Sequence, residues 1–366
     1  MSAKDVRIDE YTDEEVVEEV IPKIDTAIQK DFYKIPARFG SIPVDELPLG
    51  CDHDKQYYNI YPRVALPFQK ADRVSFGHPK LDPNRLIWGD NLHVMRMLPS
   101  NSIDLIYIDP PFFSGATYNV IFGDQNEYRS FSDIWEGGMP SYLIWMNARL
   151  LEMKRLLKST GSIYVHLDYH AIHYAKMEMD KIFGYDQFRG EIIWSNESSS
   201  GFKAQANKWI RGHDTILYYT KTKEFTFNKQ HGLLDERTIR RYDKVDPKGR
   251  KYKIYYGKDG SKRIVYLDKS QGRPISTVWT DIPSFQTVNN TGEYIGYPTQ
   301  KPERVLERII RSSSNEGDVV ADFFCGGGTT AAAAQKLNRR WIACDQSRVA
   351  VAITQGRLES LYEKGK

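Results

Sequence analysis

DFFCGGGTTAAAA (residues 322–334) has the pattern of a strand end, a glycine-rich turn and the start of a helix. Gly326, Gly328 and Ala331 match G-x-G-x-x-[GA], and Asp345 ends the next predicted strand, 17 residues after Gly328. Glycines let a ligand approach the backbone, the helix N-terminus offers free N–H groups, and an acidic strand end suits a ribose diol. The stretch therefore predicts a nucleotide-binding loop.

The position of this loop restricts the fold, because only 38 residues follow Gly328. A dinucleotide-binding domain of the usual order begins with such a loop and continues for about 150 residues. Here the other strands must come from earlier in the chain. Seven segments have strand character: 85–90, 103–109, 162–168, 191–196, 214–221, 318–324 and 339–345. The prediction is a circularly permuted, Rossmann-like parallel α/β sheet of seven strands.

Helical patterns alternate with these strands and place helices on both faces of the sheet. They cover residues 91–98, 140–158, 170–183, 301–310, 329–338 and 347–363. In the second of them an apolar stripe runs from Leu143 to Leu157, and Gly161 is the expected stop.

A second motif, Asp109-Pro110-Pro111-Phe112, ends the predicted strand at 103–109. The prolines fix φ and supply no N–H, so the chain must leave the sheet there. This places a carboxylate at a buried strand tip beside an aromatic ring. Taken alone, Asp-Pro-Pro most often forms only a turn.

Composition limits the class of protein. The chain has 366 residues, 40% of them apolar, which suffices for one large domain or two ordinary ones. Without an apolar run of about 18 residues and with an acidic, polar start, we expect neither a membrane span nor a signal peptide. The three cysteines, Cys51, Cys325 and Cys344, are far apart or in different elements, which suits a reducing cytoplasm.

The net charge of +3 is unevenly distributed. Residues 1–19 hold eight acids and two bases, and residues 221–273 hold sixteen Lys/Arg against seven Asp/Glu. The basic part falls in a glycine- and tyrosine-rich stretch, 222–290, which reads as a small β-rich insertion with a hairpin turn at 258–261. It predicts a polyanion-binding surface; the alternative is a solvated, lysine-rich insertion.

The order of the motifs resembles that of the β-type, permuted DNA amino-methyltransferases over residues 85–360. The matching segments are Gly89-Asp90, Asp109 to Phe112, FRGEIIW (188–194), YPTQKP (297–302) and Asp322 to Thr330. Phe323 stands where many members carry Pro, and Tyr297 where many carry His. The resemblance implies a catalytic half at 85–221, a target-recognition region at 222–290 and a cofactor-binding half at 291–366. Residues 1–84 form an acidic, irregular extension outside it.

The resemblance also implies roles for particular residues. Asp109, Pro110, Pro111 and Phe112 are expected to be catalytic. The residues expected to bind S-adenosyl-L-methionine are Asp90, Asp322, Phe324, Gly326, Gly328, Thr329, Asp345 and Lys301, the last at the methionine end. No metal is expected, because His166 lies in a strand and His170 and His173 begin a helix.

The implied activity is site-specific methylation of adenine N6 in double-stranded DNA, with base flipping. Cytosine N4 is the alternative target; most cytosine enzymes of this type carry Ser in place of Asp109. Alternatives from other classes are an NAD-dependent dehydrogenase and a non-catalytic DNA-binding protein. The expected setting is restriction-modification at the prokaryotic nucleoid, with a cognate restriction endonuclease and a homodimer as candidate assemblies.

Overall fold

The computed structural model describes residues 84–113, 138–195, 207, 209–285, 293–295, 297 and 299–364. The extension predicted at 1–84 therefore lies outside the described residues, except for Asn84. None of the helices in the described ranges is long and apolar enough to cross a membrane.

Thirteen strands and seven α-helices form within these ranges. The strands are β1 (Arg85–Trp88), β2 (Ile103–Ile108), β3 (Leu157–Leu167), β4 (Phe188–Ser195), β5 (His213–Thr220), β6 (His231–Gly232), β7 (Lys244–Val245), β8 (Lys251–Tyr256), β9 (Lys262–Tyr266), β10 (Arg273–Pro274), β11 (Val278–Trp279), β12 (Val319–Asp322) and β13 (Arg340–Asp345). The helices are α1 (Asn91–Arg96), α2 (Gly138–Leu156), α3 (Ile172–Phe183), α4 (Glu236–Arg240), α5 (Glu303–Ser313), α6 (Thr329–Lys336) and α7 (Arg348–Lys364).

The main sheet confirms the predicted permutation. Its strand order is β1-β13-β12-β2-β3-β5-β4-β11, so the two C-terminal strands lie between β1 and β2. The central contact pairs Val320 and Ala321 of β12 with Leu105 and Ile106 of β2. All seven predicted strands are present, and β11 adds a short eighth strand from the end of the 222–290 segment.

One strand corrects the expectation of a parallel sheet. β5 runs antiparallel to both of its neighbours, β3 and β4. A parallel connection needs a crossover of a dozen or more residues, usually a helix. The sequence between 196 and 213 has no helical pattern, which is consistent with the antiparallel return of β5.

Alternate residues of β2 show that helices cover both faces of the sheet, as predicted. Ile106 and Ile108 belong to a core with the apolar residues of α2 and α3. Leu105 and Tyr107 belong to a second core with those of α5 and α6. The period of two in a strand sends successive side chains to opposite faces, so a strand buried on both sides is apolar throughout.

Gly161 does not end α2, contrary to prediction. The helix ends at Leu156, and β3 begins at the next residue. Pairing with β2 shifts between Leu157 and Ser162, so Gly161 lies in an irregular part of the strand. A Cβ there would lie 3.1 Å from the Asp104 carbonyl oxygen, so glycine is needed for a close approach inside the sheet.

The 222–290 segment contains a separate three-stranded sheet, β7-β8-β9. The predicted hairpin is present, because Tyr256 pairs with Lys262 and the Gly257 N–H donates to the Ser261 carbonyl at 2.8 Å. The end of the 222–290 segment packs into the main sheet. Trp279 and Ile282 are buried in the second core, with α5 and α6, and the Trp194 indole donates to the Ile282 carbonyl at 2.8 Å.

Candidate active site

Four neighbouring parallel strands end at or next to an aspartate. Asp109 follows β2, Asp322 ends β12, Asp345 ends β13, and Asp90 follows β1 by two residues. In an open α/β sheet, ligands bind outside the carboxyl ends of the strands where the strand order reverses. The structure therefore brings the Asp-Pro-Pro-Phe motif and the glycine loop to one edge of the sheet.

The glycine loop is fixed by Asp345. Its two carboxylate oxygens accept hydrogen bonds from the backbone N–H groups of Gly326 at 2.9 Å and Ser347 at 2.8 Å. Burial raises the pKa of Asp345, while these backbone donors oppose the rise. The carboxylate is thus held at the mouth of the loop before any ligand arrives.

Two glycines of the loop have left-handed backbone conformations, with φ of +48° at Gly326 and +73° at Gly328. A Cβ on Gly328 would lie 2.6 Å from Cγ2 of Thr354 in α7. The Thr354 hydroxyl also donates to the Gly326 carbonyl at 2.9 Å. Gly328 is therefore required by close packing on α7 as well as by its φ. The neighbouring Thr329 hydroxyl accepts from Arg357 at 3.1 Å on the same helix.

Asp322 is buried beneath the loop. Its oxygens accept from the Phe324 N–H at 2.9 Å and the Thr330 hydroxyl at 2.5 Å. Burial raises the pKa of Asp322 to about 7; these hydrogen bonds oppose the rise, and the negative charges of Asp109 and Asp345 add to it. The three carboxyl groups therefore form one electrostatic cluster.

Sequence reasoning missed a polar bridge between β1 and α2. Asp90 caps α1 by accepting from the Leu92 N–H at 2.8 Å, and it also accepts from Arg149 at 2.9 Å. Arg149 Nε donates to Asn91 Oδ1 at 2.6 Å, and Asn91 donates to the Phe323 carbonyl at 2.8 Å. The available signal was Arg149 among the buried residues of the middle of α2.

An aromatic wall lies beside this bridge. The rings of Trp145 and Phe324 are 5.6 Å apart between centroids, and the Arg149 guanidinium lies 4.2 Å from the centre of the Trp145 ring. Both departures from the family pattern are accommodated nearby: Phe323 is buried in the core, and Tyr297 packs against the glycine loop, 3.0 Å from where a Gly326 Cβ would lie.

The two carboxylate oxygens of Asp109 differ in their hydrogen bonds to the described residues. Oδ2 accepts a hydrogen bond from the ammonium of Lys301. Oδ1 is buried and has no hydrogen-bond partner within the part of the chain that the structure describes. Lys301, expected at the methionine end of the cofactor, has its ammonium on Asp109 in the structure.

The rest of the motif is held from two sides. The Tyr142 hydroxyl donates to the Pro111 carbonyl at 3.0 Å. The Phe112 ring centroid lies 5.4 Å from the Lys301 ammonium and 6.2 Å from the centroid of His166. Phe113, which follows, has a φ of +58°, an uncommon conformation for a residue with a side chain.

A buried polar group lies beneath Phe112. His166 Nδ1 is 2.8 Å from the Tyr107 hydroxyl, and its Nε2 is 3.6 Å from Asp214 Oδ2. Burial tends to raise the pKa of Asp214, but the contact with His166 and the charges of Lys301 and Arg211 lower it overall. This group had no signal in the sequence, because its members come from three separate strands.

The three histidines considered for a metal do not converge. His166 is buried under Phe112, His170 pairs with Asp168 at 2.9 Å, and His173 is exposed. Among the described residues, no group of three or more His, Cys, Asp or Glu is arranged to hold a metal ion.

Comparison with known proteins gives matches over most of the chain. A family model described as DNA methylase matches residues 103–356. Type II methyltransferase M.EcaI of Enterobacter cloacae is 28% identical over 81% of this chain and 73% of its own. DNA adenine methyltransferase YhdJ of Escherichia coli strain K12 is 27% identical over 71% of this chain and 77% of its own. The solved PvuII DNA methyltransferase (cytosine-N4-specific) aligns with 75% of this chain and 86% of its own at 18% identity, with a TM-score of 0.48.

Proposed function

This chain belongs to the DNA methylase family, and from that premise we propose that it transfers a methyl group from S-adenosylmethionine to the N6 amino group of adenine in double-stranded DNA. The observation that carries the proposal is the open oxygen of Asp109. A buried carboxylate oxygen is costly without a partner, and among the described residues Asp109 Oδ1 has none, which favours a donor that arrives with the substrate.

The chemistry requires such an acceptor. An exocyclic amino group is a poor nucleophile because its lone pair is delocalised into the ring. Asp109 Oδ1 accepts one of its two N–H groups and stabilises the positive charge that develops on nitrogen during transfer. Fixing the nitrogen for in-line attack lowers the barrier further, because positional freedom is lost before the reaction.

We assign the second acceptor to the Pro110 carbonyl. The Pro111 carbonyl already accepts from Tyr142, and that hydrogen bond fixes the loop on α2. Proline has no N–H to compete for the acceptor, and its ring restricts φ. Two acceptors together would turn the amino nitrogen toward tetrahedral geometry and direct its lone pair at the methyl group.

Phe112 is proposed to stack on the target base after it leaves the duplex. A base inside the helix cannot reach a strand tip, so the enzyme must extrude it at a cost of a few kcal/mol. The Phe112 ring is half-buried and is supported by Lys301 and His166. A supported ring stacks with little loss of side-chain entropy.

The residues around the glycine loop fit S-adenosylmethionine, which supplies the methyl group when bound. Asp345 is fixed by two backbone donors at the loop mouth and suits the ribose hydroxyls. Asp90 keeps a partly exposed carboxylate at the adenine end, beside the Trp145 and Phe324 rings. Asp322 and the backbone of Gly326 complete the proposed cofactor side.

Two observations favour adenine over cytosine as the target base. Asp109 occupies the first position of the motif, and one of the relatives is named a DNA adenine methyltransferase. No feature of the described residues favours cytosine N4. A dehydrogenase would have no use for an acceptor carboxylate beside a proline carbonyl.

Target recognition is proposed for the β7-β8-β9 region. An open pocket beside it is lined by Arg237, Arg241, Lys253 and Arg273, with Tyr242 and Tyr255. The Lys253 ammonium lies 4.3 Å from the Tyr242 ring centroid and 4.9 Å from that of Tyr255. Clustered cations suit the phosphates of DNA, while polar and aromatic side chains contact base edges.

Assembly with other proteins is a further part of the proposal. One relative, from Salmonella typhimurium, is named type III restriction-modification enzyme StyLTI Mod subunit. We propose a cognate restriction endonuclease on this basis, and a homodimer as the assembly to test by light scattering.

One experiment tests the activity without knowledge of the DNA site. The protein is incubated with methyl-labelled S-adenosylmethionine and DNA from a host without adenine or cytosine methylation. Enzymatic digestion and mass spectrometry should find the label in N6-methyladenine. Label in N4-methylcytosine would make cytosine the target base. No label in any nucleoside would contradict DNA methylation. Single-molecule sequencing of the product then defines the site.

A further inference from the structure

Lys301 contacts both functional side chains of the Asp-Pro-Pro-Phe motif from 192 residues away. Its ammonium donates to Asp109 Oδ2 and lies 5.4 Å from the Phe112 ring centroid. The two ion-pair side chains are only 12% and 15% exposed. The contact therefore joins the C-terminal half of the chain to the strand tip of the N-terminal half.

We propose that Lys301 is a positioning residue for the methyl acceptor, holding Asp109 Oδ2 so that Oδ1 alone is presented to the incoming amino group. This inference rests on the proposed function and gives it a further residue. It differs from the role of a cofactor ligand that the sequence suggested for Lys301.

The need for a positioning residue follows from the aspartate side chain. Its terminal torsion is broad and roughly two-fold, so the carboxylate turns readily unless a partner fixes it. Leu92 and Arg149 hold Asp90, and Gly326 and Ser347 hold Asp345. For Asp109 the partner that the structure shows is Lys301. Without it the carboxylate would lose both its orientation and its compensating charge.

The surroundings of Lys301 show why it suits an acceptor better than a cofactor. Its charge acts on two carboxylates of the chain, because it pairs with Asp109 and also lowers the pKa of Asp214. An ammonium with two negative neighbours is already balanced within the protein. A third carboxylate would have to compete with them for its donors.

The backbone that carries Lys301 is anchored on both sides. Gln300 is buried; its oxygen accepts from the Ile295 N–H and its amide donates to the Glu293 carbonyl, both at 2.9 Å. On the other side, α5 begins two residues later, at Glu303. Tyr297, four residues earlier, packs against the glycine loop. The same segment thus contacts the glycine loop and fixes Asp109.

The test compares three variants with the wild type. Lys301→Met keeps the length of the side chain and removes its charge, and Lys301→Arg restores a cation. The matched control is Lys158→Met, because Lys158 pairs with Asp104 at 2.8 Å at the opposite end of the same strand, β2. The two readouts are the single-turnover methylation rate at saturating DNA and S-adenosylmethionine, and the Kd for S-adenosylmethionine by calorimetry.

A positioning role predicts a split between these readouts. Lys301→Met should lower the single-turnover rate by about 10²-fold, the size of effect seen when one preorganised polar contact is lost. The Kd for S-adenosylmethionine should stay within about threefold of the wild-type value, and Lys301→Arg should recover about tenfold of the lost rate. Lys158→Met should keep the rate within about twofold, because its pair lies at the other end of β2 from Asp109.

The opposite pattern would overturn the inference. A tenfold weaker Kd with an unchanged saturated rate would make Lys301 a cofactor ligand, and wild-type values of both would remove any role. Thermal melting verifies folding, and Lys301→Gln provides a second uncharged variant if Lys301→Met is unstable. A wild-type protein that methylates no DNA would contradict the proposed function itself, whereas an active wild type with an unaffected Lys301→Met contradicts only this inference.

Discussion

The glycine loop and the Asp109 strand tip lie side by side on the sheet, yet they meet their hydrogen-bonding needs differently. In the loop, Asp345 and Asp322 each accept two hydrogen bonds from the chain's own groups. At the strand tip, Asp109 has one oxygen on Lys301 and a second that is buried and open within the described residues. The carboxylates of the loop have their hydrogen-bond partners within the folded protein, whereas the open oxygen of Asp109 gains its partner when a ligand binds.

The difference teaches where a substitution should affect stability and where it should affect turnover. A group that is satisfied within the protein contributes to the free energy of unfolding. A group that is left open lowers stability and acts when a substrate binds. Four substitutions test this division, from the largest expected effect to the smallest.

Asp109→Ala should lower the single-turnover rate of methylation by 10³-fold or more, about 4 kcal/mol in the activation free energy, because the acceptor for the amino group is removed. The Kd for S-adenosylmethionine should change little. Rapid-quench kinetics and calorimetry measure these quantities. A variant that methylates at a near wild-type rate would end the catalytic assignment.

Gly328→Val should act on the opposite side of the comparison and destabilise the folded protein by about 3 kcal/mol. The new Cβ would lie 2.6 Å from Cγ2 of Thr354, and valine would have to adopt a φ of +73°. Urea unfolding measures the loss, and weaker cofactor binding should follow from it. Thr354→Ala combined with Gly328→Ala should recover part of the stability lost in Gly328→Ala; equal stability of the two would show that the Thr354 contact is unimportant.

Asp322→Asn should change how stability depends on pH. The pKa of Asp322 is raised to about 7 in the folded chain, against about 3.9 when unfolded. The folded state therefore binds the extra proton, and the associated stability is complete below the unfolded value and is lost as pH rises through about 7. From pH 5 to pH 8 the wild type should lose about 3 kcal/mol more than Asp322→Asn.

The measurement is urea unfolding of both proteins at the two pH values. Asp322→Glu serves as the control, since it retains a titrating carboxyl group in the same position. Parallel pH dependences of wild type and Asp322→Asn would show that Asp322 does not titrate in this range.

Charge reversal at Lys251 and Lys253 should have the smallest effect, because it changes neither the glycine loop nor the Asp109 strand tip. DNA affinity should fall modestly, and the slope of log affinity against log salt should flatten by about one unit per lost phosphate contact. Fluorescence anisotropy at several salt concentrations tests this. Unchanged affinity and slope would leave 222–290 as a solvated insertion and move recognition elsewhere.

Much of the sheet could be predicted from the sequence because its signals are local. Buried strands are continuous apolar runs, and the late position of the glycine loop leaves only a permuted order for them. The direction of β5 was missed although the lack of a helical pattern between 196 and 213 is a local sign of an antiparallel return. The addition of β11 could not be predicted in this way, because it depends on pairing with the distant β4 and a two-residue strand such as Val278–Trp279 has no periodicity.

The candidate site could likewise be predicted only in part from the sequence. Asp90, Asp109, Asp322 and Asp345 are visible in the sequence because each follows a strand. The partners of these aspartates are not visible: Lys301 reaches Asp109, and Arg149 reaches Asp90, across long stretches of chain. The need for glycine at 328 was recognisable, but its contact with Thr354 comes from the packing of α7.

The strand order has a consequence for the synthesis of the protein. β1 is an edge strand whose partner in the described sheet is β13, so Arg85 pairs with Ile342. At about 5–20 residues per second, a ribosome adds the intervening segment in roughly 13–50 s. During that time β1 has emerged without its pairing partner, and its backbone edge is exposed to other chains. Nascent chains stalled before residue 340 should therefore depend on a chaperone, whereas chains released at full length should close the sheet unaided.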